Sequence, residues 1–316
     1  MKYIKIIVAS ASVYFSFALL GTSFSGCSKQ IEHDTTTITI KDTITIKDTV
    51  TIKDTVIITD TLCNLSDGLV AYYNFNGGNV NDSSGYNNNI IFNNATPAAD
   101  RFGNPNNAYF FDGSSSYMQV KNSQSINPSN ITLFAIVKVK GFYTGECNGN
   151  QILGKGYPDN INGFYRLSYF SSNNGDPNTG VCYPTIDTTK ELFGGTFGDD
   201  VPQGYAAGAW SATAGDSLFV QTDQWYALTY TYDGSTSKFY VNGNLISSYP
   251  NTHTVTFTPN SYDLFIGKDE DSIFPYYFHG VIDEIRIYNN AIPEQKIGYL
   301  NILKDKYLKV QNKLIY

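Results

Sequence analysis

The run Gly280-Val281-Ile282-Asp283-Glu284-Ile285-Arg286-Ile287-Tyr288 limits most what this chain can fold into. Read with period two, Val281, Asp283, Ile285 and Ile287 share one face, and Ile282, Glu284, Arg286 and Tyr288 share the other. That is the pattern of a β-strand with one face buried. It places a carboxylate, Asp283, among aliphatics, where a charge is costly unless it is paired, hydrogen-bonded or bound to a cation. Its neighbour Glu284 points the opposite way on this reading. Pro293 then opens a short helical turn, where its fixed φ and missing N–H do no harm.

Upstream, from Leu69, the sequence breaks into short alternating runs between clusters of Asn, Gly, Ser and Asp. Such clusters stand at 76–89, 104–107, 113–116, 171–178 and 198–200. Asn242-Gly243, between Lys238-Phe239-Tyr240-Val241 and Leu245-Ile246, is the strongest hairpin signal. No helix-length periodicity precedes Pro293. With 25 Tyr and 20 Phe against 2 Met, the aromatics favour pleated, half-buried surfaces. These signs predict an all-β fold: two antiparallel sheets packed as a jelly roll.

The closing strand, together with four earlier motifs, resembles laminin-G-like, concanavalin-A-like jelly-roll domains. Gly68-Leu69-Val70-Ala71-Tyr72-Tyr73-Asn74-Phe75 is similar to the first strand of that family. Asn81-Asp82-Ser83-Ser84-Gly85 resembles the turn after it, and Ala108-Tyr109-Phe110-Phe111-Asp112-Gly113 with Tyr117-Met118-Gln119-Val120 the next hairpin. Trp225 to Gly234 and Phe239-Tyr240-Val241-Asn242-Gly243 resemble the central strands, and that central pattern implies a core place for Trp225. The likeness runs from Gly68 to Leu300, so residues 65–300 are expected to form the jelly roll and 301–316 a tail.

Three carboxylates stand at family-matched places: Asp82, Asp112 and Asp283. The resemblance implies a structural Ca2+ held by some of them, since calcium takes six to eight oxygens, including carbonyls. The alternative is that Asp82 caps a turn and Asp112 bonds the backbone of its own hairpin, as Asp does readily. Glycosidases of this fold carry a Glu and an Asp at alternate positions of one strand. Here Asp283 and Glu284 are adjacent and face apart, which does not suit an acid and a nucleophile flanking one bond. Asp269-Glu270-Asp271 reads as a solvated turn or a cation site. His33, His253 and His279 are scattered, which argues against zinc. No catalytic constellation emerges. The resemblance then points to recognition of carbohydrate or glycoprotein, with a glycoside hydrolase or polysaccharide lyase as the alternative. Aromatics that could stack on sugars concentrate between Phe142 and Trp210, and Trp210, Tyr157 and Tyr205 are the chosen contacts. With a net charge of −7 and no basic stripe, nucleic acid is not an expected partner.

The N-terminus reads as a targeting segment. Lys2 and Lys5 precede a mostly apolar stretch, Ile6 to Leu20, and small residues lead to Cys27. Ser25-Gly26-Cys27 resembles a bacterial lipoprotein cleavage site, so 1–26 is a signal peptide and Cys27 the acylated residue. The implied place is the outer membrane or cell surface, lipid-anchored. Residues 27–64 form a stalk, with a six-residue repeat at Lys41, Lys47 and Lys53. An even repeat keeps Ile44, Ile46, Val50, Ile52, Val56 and Ile58 on one side of an extended chain. It is either a solvated spacer or a strand that pairs between chains. Of the remaining cysteines, Cys147 and Cys182 lie in one insertion and are the natural disulfide pair. Cys63 is left over, to be free, to bridge two chains or to pair with one of those two.

Overall fold

The computed structural model describes residues 64–143, 149–156, 163–171, 191–199, 207–213, 216–251, 255–272 and 275–300. Cys27, Cys63, Cys147, Cys182, Tyr157, Tyr205, the stalk repeats and the tail lie outside the described residues. Chain contacts divide the protein into Met1–Asn64 and Leu65–Tyr316, and the second unit holds the fold.

Two antiparallel sheets face each other. The first has eight strands. Along its main path run β15 (Asn244–Pro250), β14 (Thr236–Val241), β13 (Trp225–Tyr232), β6 (Ile131–Val139), β17 (His279–Tyr288), β4 (Ala108–Asp112) and β3 (Thr96–Ala98). β1 (Leu69–Tyr73) also pairs with β17, beyond the stretch that β4 occupies. The second sheet has seven strands in the order β10 (Ala207–Trp210), β9 (Glu191–Gly198), β8 (Phe164–Ser171), β7 (Asn150–Lys155), β16 (Leu264–Ile266), β5 (Met118–Val120) and β2 (Ile90–Asn93). A small ladder joins β11 (Ala212–Thr213) to β12 (Asp216–Ser217). This is the two-sheet jelly roll expected from the alternation.

The core lies between the sheets because alternate residues of each strand point there. Ile131, Leu133, Ala135, Val137 and Val139 of β6 meet Tyr165, Leu167 and Tyr169 of β8 and Phe193 and Phe197 of β9 in one cluster. Asn242 and Gly243 form the two-residue turn between β14 and β15. Both have positive φ (53° and 81°), which is what a type I′ hairpin requires. The Asn242 side chain also accepts a hydrogen bond from Ala227 N at 2.9 Å, tying the turn to β13.

A second cluster covers the outer face of the eight-stranded sheet. Helix α1 (Glu294–Leu300), entered through Pro293, lays Ile297 and Leu300 on Phe134, Ile136, Tyr240 and Tyr288. Trp225 belongs to this side rather than to the inter-sheet core. It is half-buried there, with Lys138 Nζ 4.9 Å from its ring centroid. In β13 the core positions are Tyr226, Leu228, Tyr230 and Tyr232, so period two sends Trp225 outward.

Strand β17 departs from strict alternation. Its register shifts between Ile282 and Glu284, so Asp283 is the extra residue of a β-bulge. The core residues are therefore Ile282, Ile285 and Ile287, not the set containing Val281 and Asp283. The bulge also corrects the expectation that Asp283 and Glu284 face apart. Arg101 Nη1 lies 3.0 Å from Asp283 Oδ2 and 3.8 Å from Glu284 Oε2.

Candidate functional site

The outer face of the seven-stranded sheet carries a continuous row of partnered residues. Register runs from Phe92 to Gln119, Phe265, Gly154, Arg166, Thr196 and Gly208, one residue per strand. These positions alternate with core residues such as Met118, Leu167 and Phe197, so they share the non-core face. Seven strands at a spacing of roughly 4.8 Å make the row about 29 Å across. Phe92 is 40% exposed, while Gln119, Arg166, Thr196 and Gly208 are half-buried.

One end of this face is aromatic. Phe92 and Tyr117 stack with centroids 4.6 Å apart, and Tyr117 and Phe265 are 6.0 Å apart. Lys268 Nζ sits 4.9 Å from the Tyr117 ring and 4.7 Å from the Phe265 ring. Burial lowers the pKa of its ammonium, against the nearby acids. Beside it, Asp263 accepts hydrogen bonds from Gln119 Nε2 at 2.7 Å and Asn122 N at 2.8 Å, and pairs with Lys121 at 3.2 Å. Those donors outweigh the burial that opposes them and hold the Asp263 carboxyl below its usual range.

The acidic run after β16 is not a solvated turn. Asp269 is 1% exposed, and its N–H donates to Pro275 O at 2.7 Å. Burial pushes its carboxyl up to about 6, against the pull of Arg166. Glu270 rises to about 7, through burial and then the charges of Asp263 and Asp269. Asp269 Oδ2 and Glu270 Oε2 are buried with no hydrogen-bond partner among the described residues. Near neutral pH Glu270 is therefore about half protonated, whereas Asp269 is largely ionised. Arg166 Nε donates to Thr196 Oγ1 at 3.2 Å, which orients the guanidinium across two strands of the row.

Of the contacts expected to stack on sugars, Trp210 ends the edge strand β10 as the partner of Gly194, one row from Thr196 and Gly208. Tyr157 and Tyr205 lie outside the described residues. Nothing in the local sequence singles out the row itself, with Phe92, Gln119 and Arg166. Only its spacing of polar residues between core residues marks it.

Asp82, Asp112 and Asp283 are not gathered into one cage. Among the described residues no three His, Cys, Asp or Glu side chains group as metal ligands. Asp82 accepts from Tyr72 N, Ser84 N, Ser84 Oγ and Asn88 N at 2.8–2.9 Å. Asp112 accepts from Ser114 N, Ser115 N, Ser116 N and Ser115 Oγ at 2.7–2.9 Å, which draws its carboxyl well below the usual carboxylate range despite some burial. A carboxylate has about four lone-pair sites, so Asp82 has little left for a cation. Turn-capping, the alternative weighed for both residues, is what these bonds do. Asp283 and Glu284 are 0% and 1% exposed and are held by Arg101 and Arg286. Arg286 Nε donates to Glu284 Oε1 at 2.7 Å. Their burial keeps this pair away from any glycosidic bond.

Comparison with known proteins agrees with the architecture. The family model described as the Concanavalin A-like lectin/glucanases superfamily matches residues 112–298. Among curated proteins no relative matches. Domain 4 of AbnA, a GH43 extracellular arabinanase from Geobacillus stearothermophilus solved with arabinotriose, aligns with a TM-score of 0.50 at 20% identity. The alignment covers 74% of this chain and 98% of that one. The binding domain of Paraclostridial Mosquitocidal Protein 1 aligns with a TM-score of 0.54 at 15% identity, and the botulinum neurotoxin serotype D binding domain with 0.53 at 15%. For both, 75% of this chain is covered, but only 52% of the toxin domain. The chain thus spans about half the length of those toxin domains. At such identities the likeness is one of fold.

Proposed function

This chain belongs to the Concanavalin A-like lectin/glucanases superfamily, and on that premise we propose that its jelly roll recognises a carbohydrate or glycosylated partner without cleaving it. The observation that carries the reading is the row from Phe92 to Gly208. It sets an exposed aromatic edge beside an amide, a guanidinium and a hydroxyl on one sheet face. A sugar ring offers apolar C–H surface to an aromatic and hydroxyls to amides and charged groups. Burial of that surface is worth roughly 25 cal/mol per Å². Trp210, at the far edge, with Tyr157 and Tyr205, completes the proposed contact set.

In this reading the protein is an acylated lipoprotein anchored through Cys27 at the outer membrane or cell surface. Many copies on one surface raise a weak single-site affinity by avidity. The similar AbnA domain was solved with arabinotriose, so arabino-oligosaccharides are the first probes, followed by a glycan array. Arg166→Ala and Trp210→Ala are expected to weaken binding at least several-fold with little change in melting temperature. Retention of full affinity in both would refute this face as the site.

A second reading, a glycoside hydrolase or polysaccharide lyase, is favoured by one observation. Glu270 holds a proton near neutrality beside an ionised Asp263, the kind of split that assigns an acid and a base. Asp263 is occupied by Gln119, Lys121 and Asn122, which weighs against it. Release of reducing ends or unsaturated products from a bound polysaccharide would decide for catalysis.

A further inference from the structure

Lys155, the last residue of β7, is 0% exposed. Its backbone partners are Leu264 and Tyr165, both fully buried. An ammonium carries three donors, and among the described residues one hydrogen-bond partner is within reach: Asn260 Oδ1, at 2.5 Å from Nζ. A buried cation with one neutral partner is among the costliest arrangements in a protein interior. Burial accordingly pushes the Lys155 ammonium down to about 8, with Glu270 and then Asp263 acting against that fall.

The surroundings of Asn260 are built for close approach. Gly156 and Gly163 both have positive φ (75° and 73°). A Cβ on Gly163 would lie 2.0 Å from Thr258 O and 3.1 Å from Asn260 Nδ2, and one on Gly156 3.5 Å from that same nitrogen. The two glycines let the segment before β16 press its amide against β7. Asn260 Oδ1 also accepts from Tyr262 N at 3.1 Å, and Nδ2 donates to Gly163 O at 2.8 Å. The carbonyl is thus polarised by two donors and the amide nitrogen is held on the other side. Glu270, whose buried Oε2 lacks a hydrogen-bond partner among the described residues, is the charge acting most strongly on Lys155.

We infer that Lys155 and Asn260 form an intramolecular isopeptide cross-link, with Glu270 as the proton carrier. The Nζ lone pair of the neutral amine attacks Cγ of Asn260. The new Nζ–Cγ bond forms and the Cγ–Nδ2 bond breaks. Glu270 takes one proton from Nζ and delivers one to Nδ2, which leaves as ammonia. Amine plus carboxamide become secondary amide plus ammonia, with no oxidant or co-reactant. The product is uncharged, which removes the buried ammonium altogether. The link ties β7 to the segment entering β16, residues 105 apart in the chain.

Proteolysis of the full-length protein and tandem mass spectrometry test this directly. The expected product is one branched peptide joining the Lys155 and Asn260 fragments, lighter than their sum by one ammonia. Wild type should also run ahead of Lys155→Arg on a denaturing gel, because the link closes a loop that denaturant cannot open. Recovery of both fragments as linear peptides with Asn260 intact overturns the inference. So does recovery of Asn260 converted to Asp, which would mean that water attacks Cγ instead. Glu270→Gln is expected to yield folded, largely unlinked protein; full linking in that variant overturns the part given to Glu270. The wild-type digest needs no variant to fold, and its outcome is independent of glycan binding.

Discussion

Replacing Arg101 with Met tests how the closing strand tolerates its bulged carboxylate. Asp283 is fully buried, and Arg101 Nη1 lies 3.0 Å from its Oδ2. Removing one partner of a buried ion pair costs about 3–5 kcal/mol, mostly because the remaining charge stays out of water. For a domain of this size each kcal/mol lowers the melting temperature by about 2–4 °C, so a fall of roughly 6–20 °C is expected. Glu284 should contribute little to that fall, because it keeps Arg286 at 2.7 Å while losing a weaker contact at 3.8 Å.

The double variant Arg101→Met/Asp283→Leu sharpens the test. Arg101 Nη2 is itself buried without a hydrogen-bond partner among the described residues, so the wild-type pair is imperfectly satisfied. Replacing both charges with apolar groups of similar size is often neutral or better. The double variant should recover most of the loss, giving a coupling of about 2–3 kcal/mol by urea denaturation. A single variant that melts within a degree or two of wild type would show that Asp283 does not depend on Arg101. So would two losses that simply add.

Other expectations follow from the site and its flanks. Asp269 and Glu270 are raised to about 6 and about 7 in the fold, so the native state binds more protons than the unfolded chain between those values and the ordinary carboxylate range. Their contribution is fully present below about pH 4 and is lost as pH rises through 6 and 7; Asp269→Asn should flatten that slope and raise stability at pH 8, checked by melting across pH. Since four donors already occupy the Asp82 carboxylate, EDTA should leave the melting temperature unchanged, whereas a fall reversed by calcium but not magnesium would establish the structural calcium proposed for Asp82, Asp112 and Asp283. Cys147 and Cys182 should appear linked in unreduced peptide maps, closing a loop of about 35 residues worth roughly 3–4 kcal/mol in the chain-entropy model; finding both alkylatable in native protein would remove that staple.

Local rules made the strands and the Asn242-Gly243 turn legible, because alternation and positive φ act within a few residues. They failed where the chain breaks its own period. A single bulge after Ile282 moves Asp283 and Glu284 to one arginine, and no composition signal marks the inserted residue. The central-strand motif points Trp225 into the core, yet counting back from Tyr226 sends it outward. The run Asp269-Glu270-Asp271 reads as a solvated turn or a cation site, because charges are usually exposed. The backbone bond from Asp269 N to Pro275 O and the burial of Asp269 are tertiary facts. Lys155 and Asn260 meet across 105 residues, beyond the reach of any local pattern.

A shared fold does not assign a function, so what separates binding from mere stability is how each sheet uses its outer face. The two sheets are built from the same alternation, but they use it differently. On the eight-stranded sheet, the outward residues Phe134, Ile136 and Tyr240 are apolar, and α1 with Leu65 and Leu69 closes over them. That face is spent on stability. On the seven-stranded sheet the outward residues include Gln119, Arg166 and Thr196, with Phe92 at the rim. Asp269 and Glu270 lie beside them, each with a buried oxygen that makes no hydrogen bond among the described residues. An unsatisfied buried polar atom costs about 1–3 kcal/mol. A chain selected for stability alone gains nothing by keeping two such atoms next to a polar row. Both atoms are closed to solvent, so a ligand on this face would meet Gln119, Arg166, Thr196 and the rim residue Phe92 rather than these two oxygens.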